Sequence, residues 1–115
     1  MRKNSIKNTR INGEVQRELS TIIRELKDPR IGIMTSVTDV EVTPDLKFAT
    51  AYISVLGDEQ AKAETLAGLK SAAGFIRREL ARTINLRNTP EIKFVIDESI
   101  EYGMKMSKLI DELNK

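Results

Sequence analysis

Ser71-Ala72-Ala73-Gly74-Phe75-Ile76-Arg77-Arg78-Glu79-Leu80-Ala81-Arg82 is the stretch on which the reading of this 115-residue chain turns. It is helical in character on both sides of Gly74. Leu66, Leu69, Ala73, Ile76, Leu80 and Ile84 recur three or four residues apart and form one apolar stripe. Gly74, Arg78 and Arg82 recur every four residues and share a second face, with Ser71 beside them. A small residue next to guanidinium groups permits close approach by an anion. A glycine inside a helix costs roughly 1 kcal/mol against alanine, so it calls for a reason. Two readings stand at this point. One is a continuous helix with a tolerated glycine and solvated arginines. The other is a helix–kink–helix whose bend offers backbone amides and arginines to phosphate.

Working outward, Gly57-Asp58-Glu59 opens the helix that leads into this stretch, with Asp58 as its expected N-cap. On the far side, Asn85 to Pro90 is a connector and Glu91 to Ile96 a strand, with Ile92, Phe94 and Ile96 on one face. Asp97 or Ser99 then starts a short helix that Gly103 interrupts. Met106, Leu109, Ile110 and Leu113 follow at helical spacing, so residues 105–115 read as a tail helix.

Upstream, residues 1–6 are a loose basic lead-in. Ile11, Val15, Leu19, Ile22 and Leu26 give a helix from about Asn8 to Leu26 its apolar face. Arg10, Arg17 and Arg24 line up on another face, interleaved with acids as solvated faces are; Arg10, beside the lead-in, is the better phosphate contact. Lys27-Asp28-Pro29-Arg30-Ile31-Gly32 stops the helix, and loop structure accounts for Asp28 and Arg30 without a ligand. Ile33 to Thr43 is strand-like, but its alternation changes phase, which places a bulge near Thr38–Asp39. Thr43-Pro44-Asp45-Leu46 is a turn, and Lys47 to Leu56 is the returning strand. Its Ala49, Ala51, Ile53 and Val55 share the face that helices would cover.

The expected fold class is therefore α+β, one domain over residues 1–115 in the order α-β-β-α-(kink)-α-β-α. A crossover helix between strands of one sheet makes that pair parallel. The sheet has three strands, with helices packed on one face.

Composition narrows the function. Hydrophobic residues make up 40% and charged residues 31%, enough for a packed core. With no cysteine and no histidine, disulfides, thiolate metal sites and the commonest general base are absent. No run approaches membrane-spanning length and no signal peptide opens the chain, so a cytoplasmic protein is expected. The net charge is only +2, but it is unevenly placed. Arg2, Lys3, Lys7 and Arg10 face no acid within residues 1–12. Lys70, Arg77, Arg78, Arg82, Arg87 and Lys93 outnumber Glu79 and Glu91 within residues 70–93. Residues 97–115 carry five acids against three lysines. A basic side on a small domain points to nucleic acid.

The order of elements is that of a type II KH-like domain, an RNA-binding fold. More closely, the chain resembles the ribosome-binding factor A family. The resemblance rests on four collinear blocks: Asp28-Pro29-Arg30-Ile31-Gly32, Ser71 to Leu80, Thr89-Pro90-Glu91-Ile92-Lys93-Phe94, and Asp97-Glu98-Ser99-Ile100-Glu101-Tyr102-Gly103-Met104. Ordinary KH domains clamp nucleotides with a G-x-x-G loop. None occurs here; Ala72-Ala73-Gly74 fits the Ala-x-Gly of the resembled family instead, which favours the kink. The resemblance implies a non-catalytic assembly factor that binds the immature 30S subunit and 16S ribosomal RNA. It further implies support for 5′-end processing of that RNA and a role that matters most in the cold. It implies no cofactor, no metal and no membrane, and nothing requires more than a monomer.

The expected RNA contacts are the kink itself (Ser71, Ala72, Ala73 and Gly74), the cations Arg77, Arg78 and Arg82, the flanking Lys70, Arg87 and Lys93, and the strap Arg2, Lys3, Lys7 and Arg10. Most of Phe48, Tyr52, Phe75, Phe94 and Tyr102 are expected in the core, so recognition by shape and backbone is expected rather than extensive base stacking. Two other functions are weighed. An enzyme without His or Cys would draw on Asp97, Glu98 and Glu101, which read more simply as helix-start acids. A protein-interaction module would use the apolar stripe of the tail helix.

Overall fold

The burial pattern of the first helix shows how the layers assemble. The computed structural model describes residues 9–32 and 34–99. Helix α1 (Thr9–Glu25) buries Val15, Leu19, Ile22 and Ile23, the apolar face expected from its spacing. The same face carries Asn12, which is only 6% exposed. Its Oδ1 accepts the Val42 N–H at 2.9 Å, so the amide joins the helix to the end of the first strand. Hydrophobic periodicity gives no sign of such a residue.

Strand β1 (Thr35–Val42) and strand β2 (Phe48–Val55) pair antiparallel. Their register shifts between Val37 and Asp39, the bulge required by the change of phase. The extra residue is Thr38. Its hydroxyl donates to Oδ2 of the buried Asp97 at 2.5 Å, tying β1 to the end of the third strand. Asp97 Oδ1 also accepts the Ser99 N–H at 2.9 Å; the short helix expected to follow lies outside the described residues.

The turn between β1 and β2 is built on Asp45, whose carboxylate accepts from the Thr43 hydroxyl at 2.6 Å and the Lys47 N–H at 3.0 Å. Those bonds, that to Thr43 foremost, lower its pKa. Leu46 takes a left-handed φ of 62° while its side chain is buried. Burial of an isobutyl group holds the backbone where leucine is rarely found.

Strand β3 (Glu91–Ile96) runs parallel to β2, giving the sheet order β1-β2-β3. Ala49, Ala51, Ile53 and Val55 of β2, with Ile92 and Phe94 of β3, form the buried face. On it α1 packs against β1, and helix α2 (Glu59–Ser71) packs against β3. Helix α3 (Ala73–Thr83) packs against α1. The architecture is the α+β arrangement expected. The lead-in cations Arg2, Lys3 and Lys7, the acid Glu101, Tyr102 and the tail stripe lie outside the described residues.

The loop Asp28–Gly32 rests on α2. Asp28 accepts the Arg30 backbone N–H at 2.9 Å and the Arg30 guanidinium at 3.1 and 2.7 Å. Thr65 of α2 donates to the Arg30 carbonyl at 3.3 Å and accepts the Gly32 N–H at 3.4 Å. A β-carbon on Gly68 would stand 2.9 Å from Ile31 Cγ1. The absence of one lets loop and helix touch. Asp28 and Arg30 are thus accounted for by loop structure alone.

Candidate nucleic-acid interface

The helix pair around the quoted stretch is broken. Asp58 caps α2 by accepting the Ala61 N–H at 2.8 Å. The helix ends at Ser71, and Ala72, with φ −89° and ψ 1°, belongs to neither α2 nor α3. Its N–H donates to the Gly68 carbonyl at 3.1 Å, and its own carbonyl accepts the Ile76 N–H at 2.8 Å. No side chain caps the start of α3. The two helices are separate, as the helix–kink–helix reading requires, and the break sits at Ala72, two residues before the glycine. The stripe holds across it: Leu69, Ile76, Leu80 and Ile84 are buried on one side of the bend.

Gly74 has no structural reason among the described residues. Its φ is not positive, and a β-carbon there would meet nothing within 4 Å. Nothing in the backbone conformation or the packing of the described residues requires glycine. What it leaves is an uncovered patch of helix backbone open to solvent.

The expected cations divide into groups. Lys70 and Lys93 line a cleft of about 490 Å³ whose other walls are Ala73 at the kink and Ala49, Ile92 and Phe94 of the sheet. A second groove of about 320 Å³ adjoins it, lined by Lys47, Arg77 and Asn88. Phe48 and Glu91 border both. Two N–H groups of Arg77 donate to the Thr89 carbonyl at 3.2 and 2.9 Å, which fixes the guanidinium while leaving it exposed. Arg78 and Arg82 line neither cavity. Arg82 is paired with Glu79 at 2.6 Å, whereas Arg78 is exposed and has no ion pair among the described residues. Ser71 and Gly74 are exposed at the bend between these groups, with Ala72 half-buried. Arg87 is exposed on the connector after α3, and Arg10 is held by Glu14 at 3.3 Å on α1. The structure therefore brings Lys70, Ala73 and Lys93 together beside the kink, sets Arg77 next to them, and leaves Arg10 on a separate element.

One expectation is corrected. Of the four described aromatics only Phe94 is buried; Phe48 is 55% and Phe75 41% exposed, and Tyr52 is half-buried. Phe48 alternates with the buried Ala49, so strand parity turns it away from the covered face. Phe75 precedes the buried Ile76 by one residue on α3. Position within the period, not hydrophobicity, was the available signal. Sequence reasoning also missed Lys47 as a neighbour of Arg77, because the turn and the helix meet only in three dimensions.

Among the described residues no group of three or more acids is placed to hold a metal ion, and no described helix is long and apolar enough to cross a membrane.

Comparison with known proteins adds a family to this geometry. A family model described as ribosome-binding factor A matches residues 7–110. A ribosome-binding factor A from Agathobacter rectalis is 72% identical, over 100% of this chain and 96% of that protein. The solution structure of a Thermotoga maritima protein aligns with TM-score 0.73 at 30% identity, over 88% of this chain and 96% of that one. A Thermus thermophilus ribosome binding factor A, fitted as a homology model into a cryo-electron-microscopy map of a 30S complex, aligns with TM-score 0.63 at 24% identity; 76% of this chain and 91% of that one are covered. With a kinked helix pair, basic side chains around an apolar cleft and a family match over nearly its whole length, the chain belongs to the ribosome-binding factor A family.

Proposed function

We propose that this protein is a non-catalytic assembly factor of the cytoplasm that binds 16S ribosomal RNA within the immature 30S subunit. The observation that carries the reading is the surface around Ala72. Lys70 and Lys93 border an apolar cleft on one side of the bend, Arg77 lines the groove that adjoins it, Arg78 on α3 has no ion pair among the described residues, and Gly74 leaves helix backbone bare between them. Cations set beside accessible backbone suit a sugar–phosphate chain. The Thermus relative fitted into a 30S complex supports the choice of partner.

The mechanism is differential binding. A factor that holds one arrangement of RNA more tightly than its alternatives shifts the population toward it, by no more than that difference in affinity. Release follows when maturation removes the favoured arrangement. Such a factor supports processing of the 5′ end of the RNA without cutting it, and matters most in the cold, where misfolded RNA escapes slowly.

The test is binding to small-subunit precursors as a function of salt. With about four to six phosphates neutralised, log affinity falls against log salt with a slope of roughly −0.7 per contact on unpaired strands. Charge reversal at Arg78 and Arg82 weakens binding and makes the slope shallower while the melting temperature changes little. Unchanged subunit binding by that double variant removes these two residues from the interface; binding indifferent to salt removes the electrostatic reading.

A further inference from the structure

Phe48 lies outside the core cluster, and its bonds to the described residues do not need its ring. Its backbone closes the β1–β2 turn, accepting the Thr43 N–H at 2.8 Å and donating to the Thr43 hydroxyl at 3.1 Å, bonds that any residue other than proline would make. The ring adds little to the core, since the residue is 55% exposed. The residue lines both cavities beside the kink, one with Lys70 and Lys93 along it and the other with Lys47 and Arg77. Among the described residues Glu91 is the one acid lining them. An aromatic face held at the surface among cations is how proteins take an unpaired base, the ring stacking on the base while the cations meet flanking phosphates. A base inside a duplex is already stacked on both faces and has none to offer.

We infer that Phe48 is a stacking platform for one unpaired base, so that the RNA segment entering the cleft beside the kink is single-stranded there. This rests on the RNA-binding reading above and adds to it the state of the strand and the residue that reads it.

The chain contains no tryptophan, which makes the test direct. A Phe48→Trp variant carries a single indole, and a Leu56→Trp variant carries one at another exposed position, 75% exposed in the parent chain. Each is titrated with protein-free 16S ribosomal RNA while filter retention follows binding independently. The expected result is quenching of the indole at 48, little change at 56, near-normal affinity for Phe48→Trp, and an affinity lowered roughly ten-fold or more by Phe48→Ala. Phe48→Tyr restores it. Salt-dependent binding with an unquenched indole at 48, or full affinity in Phe48→Ala, overturns the stacking inference and leaves the RNA-binding reading standing. Failure of the parent chain to bind the RNA at all overturns both.

Discussion

At the scale of single residues, the Asp28–Gly32 block is explained by chemistry inside the fold. Arg30 surrounds the Asp28 carboxylate, first through its guanidinium and then through its backbone N–H, and holds the pKa at about 2 against an ordinary 3.8. The folded value lies below the unfolded one. The contribution to stability is therefore complete above the unfolded pKa and is lost as pH falls through about 2. The expected outcome is that Asp28→Asn makes the urea midpoint less sensitive to pH between about 4 and 2, with the difference from the parent chain vanishing at the acid end. An unchanged pH profile would show that the pair makes no such contribution. Asp97 is a parallel case. It serves the Thr38 hydroxyl and the Ser99 N–H, while its neighbour Glu98 lies 3.6 Å from the buried Lys62. Asp97 thus ties β1 to the end of β3, and Glu98 reaches α2.

At the scale of elements, the two glycines of the α2–α3 region differ in kind. Gly68 is demanded by packing: the loop Asp28–Gly32 crosses α2 there, and a methyl group would meet Ile31 at 2.9 Å. Gly68→Ala is expected to destabilise by about 1–3 kcal/mol as the loop is pushed away, measured by urea unfolding. Gly74 has open space around it. That contrast was not legible in the sequence, because both glycines sit at similar points of a helical pattern. What was legible followed from periodicity and from residues with one strong local preference. The stripe from Leu69 to Ile84, the Asp58 cap, the bulge at Thr38 and the covered face of β2 all emerged as expected. The details set by tertiary contact did not: the buried Asn12 and the left-handed Leu46.

At the scale of the whole molecule, the sheet is covered on one face by helices, and α2 lies over β3 while α1 lies over β1. The bend between α2 and α3 therefore comes to stand beside the cleft floored by Ala49, Ile92 and Phe94. Clustered charge in the sequence pointed to this side, but could not show that Lys70 and Lys93 would face one cavity and Arg77 the next, because residues 70, 77 and 93 meet only through the crossover. On the proposed function the bend is shaped for an RNA backbone rather than for the protein's own stability, and Gly74 separates the two. A methyl group at 74 meets no atom within 4 Å beyond its own helix backbone and chain neighbours, and alanine is the better helix former, so Gly74→Ala should raise stability by about 0.5–1 kcal/mol. The most direct measurement is the affinity of that variant for protein-free 16S ribosomal RNA alongside its urea midpoint. The account predicts a more stable protein that binds about ten-fold or more weakly, a loss of ~1.4 kcal/mol. A more stable protein that binds the RNA as tightly as the parent chain would contradict it.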